Sequence, residues 1–278
     1  PLLLLAPGLT WLVSFYLAPN IQMFASSFWS GTLESGFSFS FSNWTNYTDA
    51  LSKYQQQYAR SIQYGFVATL ICFAIAFPLA YFIAFKAGRA RSVLLFLVVA
   101  PFFTSYLLRT IGWRTILGDD SIILGPLKAA GLVDPAARFL DTPFAVIAGI
   151  AYNFVPFMIL PIYVSLEKID RRLLEAAQDL YASSWGAFRR VTLPLAMPGI
   201  FAGSLLTFIP AIGDFINAEL LGNPNTTMVG NVIQRQFLVD RDYPTAAALS
   251  FMLMVLILAG VALYGRLLGT EELTSKAI

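Results

Sequence analysis

The stretch Glu167 to Pro194 reads EKIDRRLLEAAQDLYASSWGAFRRVTLP, and it is a polar, cation-rich interruption in an otherwise apolar chain. Two long apolar stretches flank it, one from Phe144 to Leu166 and the other from Leu195 to Ile216. A helix of roughly 20 apolar residues crosses a hydrocarbon core about 30 Å thick. The pattern therefore predicts two membrane spans joined by a loop that lies outside the membrane.

The composition of the whole chain supports a membrane location. Hydrophobic residues make up 57% of the sequence and charged residues 12%, and the mean hydropathy is +0.67, unlike a soluble domain. Because backbone amides in lipid need internal partners, each apolar run should be a helix. We predict an all-α, polytopic membrane bundle of six transmembrane helices in a single domain, residues 1–278. The four further spans are Leu2 to Leu17, Ile62 to Phe85, Val93 to Trp113 and Ala246 to Leu268.

The first of these stretches has an alternative interpretation as the apolar core of a signal peptide, because it lies at the terminus and small residues follow near Ala25 and Ser26. Its length and the lack of a preceding basic residue argue against that interpretation. We therefore retain it as the first span.

Lysine and arginine are concentrated in two connections, which predicts the orientation of the spans. The short second connection and the 167–194 loop should face the cytoplasm, and both chain ends with them. Loops 19–60, 114–141 and 220–244 should be external. They hold most of the acidic residues: Glu34, Asp49, Asp119, Asp120, Asp134, Asp141, Asp240 and Asp242. The net charge of +2 thus reflects membrane orientation, and no nucleic-acid surface is expected.

Several classes of chemistry are excluded by the residues that the chain lacks. It has no histidine and one cysteine, Cys72, so most metal sites and nucleophilic mechanisms are excluded. Cys72 lies within an apolar span, where a small packing residue is expected. No Gly-x-x-x-x-Gly-Lys-Ser/Thr phosphate loop occurs. We expect no enzymatic activity and no cofactor on this chain; if ATP drives it, a partner protein binds the ATP and Mg²⁺.

Apolar residues recur at helical spacing within the 167–194 loop and predict two short amphipathic helices with a turn near Tyr181. Asp170 is the expected N-cap of the first helix, and Ser183 or Ser184 that of the second. The second helix should stop at Leu193, because Pro194 disfavours helix at the residue before it. Such a segment suits docking to a partner protein or contact with anionic lipid headgroups, and the physical pattern alone favours neither.

Glu175-Ala176-Ala177, followed by Val191 and then by Leu193-Pro194, closely resembles the EAA loop of bacterial ABC-importer permeases. The resemblance implies that this loop is the cytoplasmic segment to which an ATPase dimer binds. It also implies that the residues coupling the two proteins are Glu175, Ala176, Ala177, Tyr181, Leu193 and Pro194. Tyr181 stands where the family has glycine. A left-handed backbone at that turn costs a residue other than glycine about 1 to 2 kcal/mol.

The resemblance spans essentially the whole chain and looks closest to the membrane subunits of spermidine/putrescine-type importers. It rests on Ala100-Pro101-Phe102-Phe103 with Arg109, the stretch from Tyr163 to Asp179, Leu193-Pro194 followed by Met197-Pro198-Gly199-Ile200, Gly213-Asp214-Phe215, Leu221-Gly222 and Gly230-Asn231. It implies a bacterial inner-membrane permease with three kinds of protein partner: the ABC ATPase dimer, a second related permease and an external solute-binding protein. Permeases for opines, other amines, sulfate or iron share this architecture, so the cargo stays open.

Two acidic residues, Asp214 and Glu219, lie within or at the end of an apolar span, where acids usually face a partner or a water-filled cavity. A polyamine cation would be satisfied by carboxylates and aromatic walls. The candidate residues of the substrate path are Asp214, Glu219, Phe103, Tyr106, Arg109 and Trp113, with Phe102 in the same wall. The alternative is a structural ion pair between Asp214 and Arg109, with aromatic residues that serve only packing.

Prolines inside the predicted spans (Pro78, Pro101, Pro156, Pro161 and Pro210) should mark bends, and Pro101 is a candidate for positioning a gate. Two other functional classes remain open. A secondary transporter should show paired repeats with interrupted spans, and no convincing halves are visible. A membrane scaffold or channel component would tolerate changes at Glu175.

Overall fold

Long helices carry most of the chain, and the computed structural model describes residues 2–32, 34–119 and 121–268. Asp120, predicted to be external, and the chain end from residue 269, predicted to be cytoplasmic, lie outside the described residues. In chain order the elements are α1 (Leu2–Leu12), a π-helical turn (Val13–Leu17), α2 (Ala18–Ser26), β1 (Trp29–Thr32), β2 (Gly36–Phe39), α3 (Thr45–Phe85), a 3₁₀ turn (Gly88–Ala90), α4 (Arg91–Val99), a 3₁₀ turn (Ala100–Phe103), α5 (Tyr106–Leu117), α6 (Leu124–Ala129), α7 (Pro143–Glu167), α8 (Arg171–Asp179), α9 (Ser184–Ala187), a π-helical turn (Phe188–Thr192), α10 (Leu193–Ile212), α11 (Ile216–Leu221), a 3₁₀ turn (Pro224–Thr226), α12 (Val229–Leu238) and α13 (Tyr243–Leu268).

The prediction of a helical membrane protein is confirmed in its coarse form. Within the described ranges, four helical segments are long and apolar enough to cross a membrane: Thr45–Phe85, Pro143–Glu167, Ser184–Ile212 and Tyr243–Arg266. A fifth crossing is obtained if the bent pair Gly88–Phe103 and Tyr106–Leu117 counts as one span. Helices continue through four of the five prolines expected to mark bends: Pro78, Pro156, Pro161 and Pro210.

Helix α3 is much longer than the predicted span from Ile62 to Phe85. It has 41 residues, and at about 1.5 Å per residue it is roughly 60 Å long, twice the thickness of the hydrocarbon core. Residues 45–60 are therefore helical and not a loop, and their external location stays a prediction. The first turns are polar but rich in Ala, Leu, Gln and Lys, which favour helix without raising hydropathy.

The third predicted span, Val93 to Trp113, is broken next to Pro101, which confirms the bend predicted at that proline. The two helical arms meet at 93°. Pro101 has no N–H to continue the ladder of α4, so the chain passes into a 3₁₀ turn at Ala100–Phe103. Thr104 is then extended, with φ −100° and ψ 141°, and α5 starts in a new direction at Tyr106.

By their internal contacts the described residues form two units, the first made of the chain before Arg60 and after Thr227. In this unit β1 and β2 form an antiparallel hairpin that pairs Trp29 with Phe39, a short exception to the all-α prediction. Phe28 is fully buried, and its ring lies within 5.5 Å of several other aromatic rings (Phe24, Phe41, Trp44 and Tyr47).

The second unit, Arg60 to Thr227, is centred on the packing of α7 against α10. A Cβ atom on Gly199 would lie 2.4 Å from the Pro161 carbonyl oxygen and 2.5 Å from the Ser165 hydroxyl oxygen. Glycine therefore permits a close approach of the two backbones, as is common between membrane helices. Cys72 is buried and its thiol lies 3.3 Å from the Ala151 carbonyl oxygen, which confirms its packing role.

Candidate functional site

The loop between α7 and α10 folds into two short helices whose starts follow from the sequence. Asp170 Oδ1 accepts a hydrogen bond from the Arg172 amide at 2.9 Å, and Ser183 Oγ accepts one from the Gly186 amide at 3.2 Å. These contacts satisfy amides that a helix start leaves unpaired. The predicted N-caps are thus confirmed, with Ser183 rather than Ser184 as the cap of α9.

The prediction that the second helix stops at Leu193 was wrong. A single helical segment runs from Ser184 to Ile212 and passes through the π-helical turn Phe188–Thr192. Pro194 lies in the first turn of α10, where the missing N–H costs least. The wider π turn immediately before it accommodates the proline that would otherwise end the helix.

Tyr181 has the left-handed backbone that the family glycine implies, with φ +58°. Its side chain is 99% exposed, so it gains no packing within the described chain to offset the cost of that conformation. Leu180 beside it is 81% exposed and Trp185 is 69% exposed. We call these three exposed residues, Leu180, Tyr181 and Trp185, the loop tip.

The motif residues of α8 are accessible. Glu175 and Ala176 are exposed, and Ala177 is half-buried. Leu193 is half-buried and Pro194 is exposed at the start of α10. The small alanines leave room for a partner's cleft to close on the helix.

Aromatic contacts hold the second half of the loop to the bundle. Phe188 stacks on Trp185 at 5.3 Å between ring centroids. The same ring meets Phe77 and Tyr81 of α3 edge-on, at 5.7 and 6.3 Å. Aromatic pairs in these geometries stabilise a fold by more than their buried area alone would. The contacts of Phe188 therefore hold the segment that follows Trp185 against α3.

A second candidate site surrounds Asp214, which lies in the break between α10 and α11 and is only 7% exposed. Its carboxylate accepts hydrogen bonds from the Tyr106 hydroxyl, from the Asn217 amide N–H at 2.8 Å and from Asn217 Nδ2 at 3.2 Å. All three donors are neutral. Helix α10 ends at Ile212, so it stops before Asp214 and is shorter than the predicted span from Leu195 to Ile216. The Asp214 carboxylate accepts a hydrogen bond from an amide in the first turn of α11.

Two amides and a hydroxyl extend this cluster, which we call the Asp214 cluster. Asn217 Nδ2 lies 2.6 Å from the Tyr106 hydroxyl oxygen, and Asn153 Nδ2 donates to Asn217 Oδ1 and to Thr110 Oγ1, each at 3.2 Å. The Asn153 Oδ1 atom is buried and has no hydrogen-bond partner in the part of the chain that the structure describes. Thr110, Asn153 and Asn217 were not among the residues predicted from the sequence. An amide in the middle of an apolar span, as at Asn153, was the signal that would have indicated them.

Arg109 does not pair with Asp214, so the alternative of a direct structural ion pair was wrong. Its guanidinium carbon lies 5.1 Å from the ring centroid of Phe102 and 5.7 Å from that of Tyr106. Its Nε and Nη1 atoms are buried and find no hydrogen-bond acceptor among the described residues. The two rings therefore already hold one cation on their faces.

The remaining predicted path residues do not join the Asp214 cluster. Phe103 is 82% exposed. Trp113 packs instead beside Leu117 and Leu221, with its ring 5.4 Å from that of Tyr152. Glu219 is exposed on α11, whereas Asp214 is buried, so the two acids have different surroundings. Among the described residues, no group of three histidine, cysteine or acidic side chains is placed to hold a metal ion.

Comparison with known proteins identifies the class. Residues 65–268 match the family model for binding-protein-dependent transport system inner membrane components, and the chain belongs to that family. It is 42% identical over 259 residues to the spermidine/putrescine transport system permease protein PotB of Haemophilus influenzae, covering 92% of this chain and 90% of that protein. It is 38% identical to PotB of Escherichia coli K12 over 258 residues, covering 92% and 93%.

The fold is also that of a solved transporter subunit. A bacterial alginate ABC transporter, crystallised in complex with an alginate pentasaccharide-bound periplasmic protein, superposes with a TM-score of 0.71 at 21% identity. The superposition covers 95% of this chain and 91% of that chain. The chain is therefore a helical inner-membrane transport component, which confirms the class inferred from the EAA-type loop.

Proposed function

We propose that this chain is one permease subunit of an ATP-driven importer for a polyamine such as spermidine or putrescine. The observation that carries the proposal is the Asp214 cluster, a buried carboxylate held by neutral donors and bordered by aromatic rings that already accept a cation. The naming of the PotB relatives as spermidine/putrescine permeases supports the same cargo.

The proposed topology has six spans in a single permease domain, residues 1–278, with both chain ends in the cytoplasm. The helical run Leu2–Ser26 supplies the first span, and the bent α4 and α5 together supply the third. An ion pair between Arg91 and Glu167 supports placing the two basic connections on the same side of the membrane. Their lysines and arginines assign that side to the cytoplasm.

The proposed partners follow from the loop. A separate ATPase dimer, which binds the ATP and Mg²⁺, grips α8 at Glu175, Ala176 and Ala177, and the loop tip adds apolar contact area. Because this chain carries one such loop, a second permease subunit is needed for the second ATPase. The alginate transporter binds a periplasmic protein, which supports an external solute-binding protein here.

The proposed cation path uses the Asp214 cluster. An ammonium group can replace the Arg109 guanidinium over the Phe102 and Tyr106 rings, since aromatic faces attract ammonium as well as guanidinium groups. The Asp214 carboxylate then supplies the negative charge, because its present partners are neutral. A buried acid in such a place is expensive unless it has a partner or a function.

The test is ATP hydrolysis by the complete assembly, made from this chain and its genomically adjacent partners in lipid, with and without the binding protein and spermidine. Stimulation that needs both supports the polyamine importer. Stimulation by the binding protein without spermidine would keep the importer and reject the cargo. The absence of a co-purifying ATPase would reject the importer and favour a secondary transporter or a scaffold.

One observation favours a different cargo. The unpartnered Nε and Nη1 atoms of Arg109 would suit an oxyanion such as sulfate, because a guanidinium binds such groups through parallel N–H donors. Sulfate in place of spermidine, with its own binding protein in the same assay, separates the two cargoes: activation by sulfate would support the anion and contradict the polyamine.

A further inference from the structure

Arg91, Tyr163 and Glu167 form a closed triad outside both sites described above. The Arg91 guanidinium pairs with the Glu167 carboxylate, and Arg91 Nε donates a hydrogen bond to the Tyr163 hydroxyl. The guanidinium carbon also lies 5.0 Å from the centroid of the Tyr163 ring. The Tyr163 hydroxyl also interacts with the Glu167 carboxylate. Each member therefore contacts the other two.

The triad joins two places in the chain that the proposed transport cycle must connect. Glu167 is the last residue of α7, three positions before Asp170, which caps the first helix of the coupling loop. Arg91 is the first residue of α4. Helix α4 leads through the 3₁₀ turn Ala100–Phe103 to α5, which carries Tyr106 and Arg109. The end of α7, where the proposed ATPase-binding loop begins, is thus linked to the start of α4, which leads through α5 to the Asp214 cluster.

Stability alone does not account for this arrangement. The side chains of Arg91 and Glu167 are 35% and 43% exposed, and ion pairs that water reaches contribute little to the stability of a fold. Tyr163 is 5% exposed and holds the guanidinium by its ring as well as its hydroxyl. What the triad does fix is the position of the start of α4 relative to the end of α7.

We propose that Arg91, Tyr163 and Glu167 are positioning residues that transmit the movement of the coupling loop to α4 and α5. The inference rests on the proposed function and adds the route by which the ATPase-driven movement reaches the substrate path. The triad acts through other residues and touches neither ATP nor solute. Its loss should therefore separate ATP hydrolysis from transport while both partner surfaces stay intact.

The test uses the complete assembly in lipid vesicles and measures ATP hydrolysed per spermidine molecule taken up. Arg91→Ala should raise this ratio at least about fivefold, the lower end of typical coupling between two sites, with stimulation by the binding protein retained. Arg89→Ala is the matched control, because Arg89 lies on the same connection, is exposed and forms no ion pair among the described residues. It should leave the ratio unchanged.

A double-mutant cycle makes the test specific to the triad. If Arg91 and Glu167 act as one unit, the double variant Arg91→Ala/Glu167→Ala should hydrolyse no more ATP per spermidine molecule than either single variant does. Effects that multiply, or equal ratios in Arg91→Ala, Arg89→Ala and the wild type, would overturn the inference. Failure of the wild-type assembly to take up spermidine with ATP would instead overturn the proposed function, so the two failures are distinguishable.

Discussion

The carboxylate of Asp214 accepts a hydrogen bond from the hydroxyl of Tyr106, which lies 108 positions earlier in the chain. The contact joins the break after α10 to the first turn of α5. Arg109, on the same face of α5 one turn later, is turned toward the aromatic rings and leaves the carboxylate to neutral donors. Asp214 therefore has hydrogen-bond donors but no cationic partner among the described residues.

Replacement of Asp214 by asparagine should weaken polyamine transport. Asparagine retains an acceptor for Tyr106 and for the Asn217 amide but removes the charge. A hydrogen bond to a charged group contributes about 1.5 to 3 kcal/mol, so the apparent affinity for spermidine should fall at least about tenfold. Initial uptake rates at several spermidine concentrations measure the change.

Tyr106→Phe is the matched control for Asp214→Asn, because it removes the hydroxyl and keeps the ring that receives the cation. It should have a smaller effect on spermidine affinity. If Asp214→Asn lowers the thermal midpoint and leaves uptake affinity and rate unchanged, Asp214 serves only to cap α11.

Changes on α8 should uncouple the ATPase from transport. Ala177→Trp places a bulky ring where the proposed ATPase cleft would close, and Glu175→Ala removes the carboxylate proposed to accept charge-assisted hydrogen bonds from the ATPase. Both variants should insert in the membrane yet lose ATP-dependent uptake, whereas Glu175→Gln, which keeps the shape and an acceptor, should lose less. Uptake assays with co-purification of the ATPase measure this, and wild-type uptake in both variants would refute docking at α8.

Tyr181→Gly should separate stability from docking. Glycine adopts the φ of +58° without steric cost, so the fold should gain about 1 kcal/mol, or roughly 2 °C in thermal midpoint. Loss of the exposed ring should at the same time weaken ATPase binding. Tyr181→Ala removes the ring but keeps the strain, and it should weaken binding with no gain in midpoint. Unchanged ATPase binding in both variants would show that Tyr181 is no contact.

Gly199→Val should disrupt the packing of α7 on α10. A Cβ atom there would overlap the Pro161 carbonyl oxygen and the Ser165 hydroxyl, and overpacking of this kind costs about 1 to 3 kcal/mol. Gly112→Ala on α5 is the control, since its Cβ would meet no atom within 4 Å. The midpoint of thermal unfolding in detergent should fall for Gly199→Val alone; equal midpoints would argue against the tight contact.

Features set by local chemistry were predictable from the sequence. The apolar runs indicated membrane helices because their length and composition suffice for that inference, and Asp170 and Ser183 indicated helix starts because capping depends on the next few residues. A left-handed turn at Tyr181 was one of the outcomes left open by the glycine that the family has at that position, and φ is +58°. Each of these needs no knowledge of distant contacts.

Features set by tertiary contacts were not predictable. The polar first half of α3 carries no hydropathy signal, and Pro101 alone does not specify a 93° break. The orientation of Arg109 depends on which rings α5 meets, so a charge pair with Asp214 was as reasonable as the observed contact with Phe102. Asn153 and Asn217 join the Asp214 cluster only because three separate elements converge there.

The most direct test of the central claim is the accumulation of labelled spermidine in vesicles that contain the complete assembly. ATP is enclosed in the lumen, and the binding protein and spermidine are outside. The account predicts accumulation above the external concentration with ATP, none with a non-hydrolysable analogue, and none in the Ala177→Trp variant. Accumulation without ATP, driven by an ion gradient and unaffected by Ala177→Trp, would contradict it.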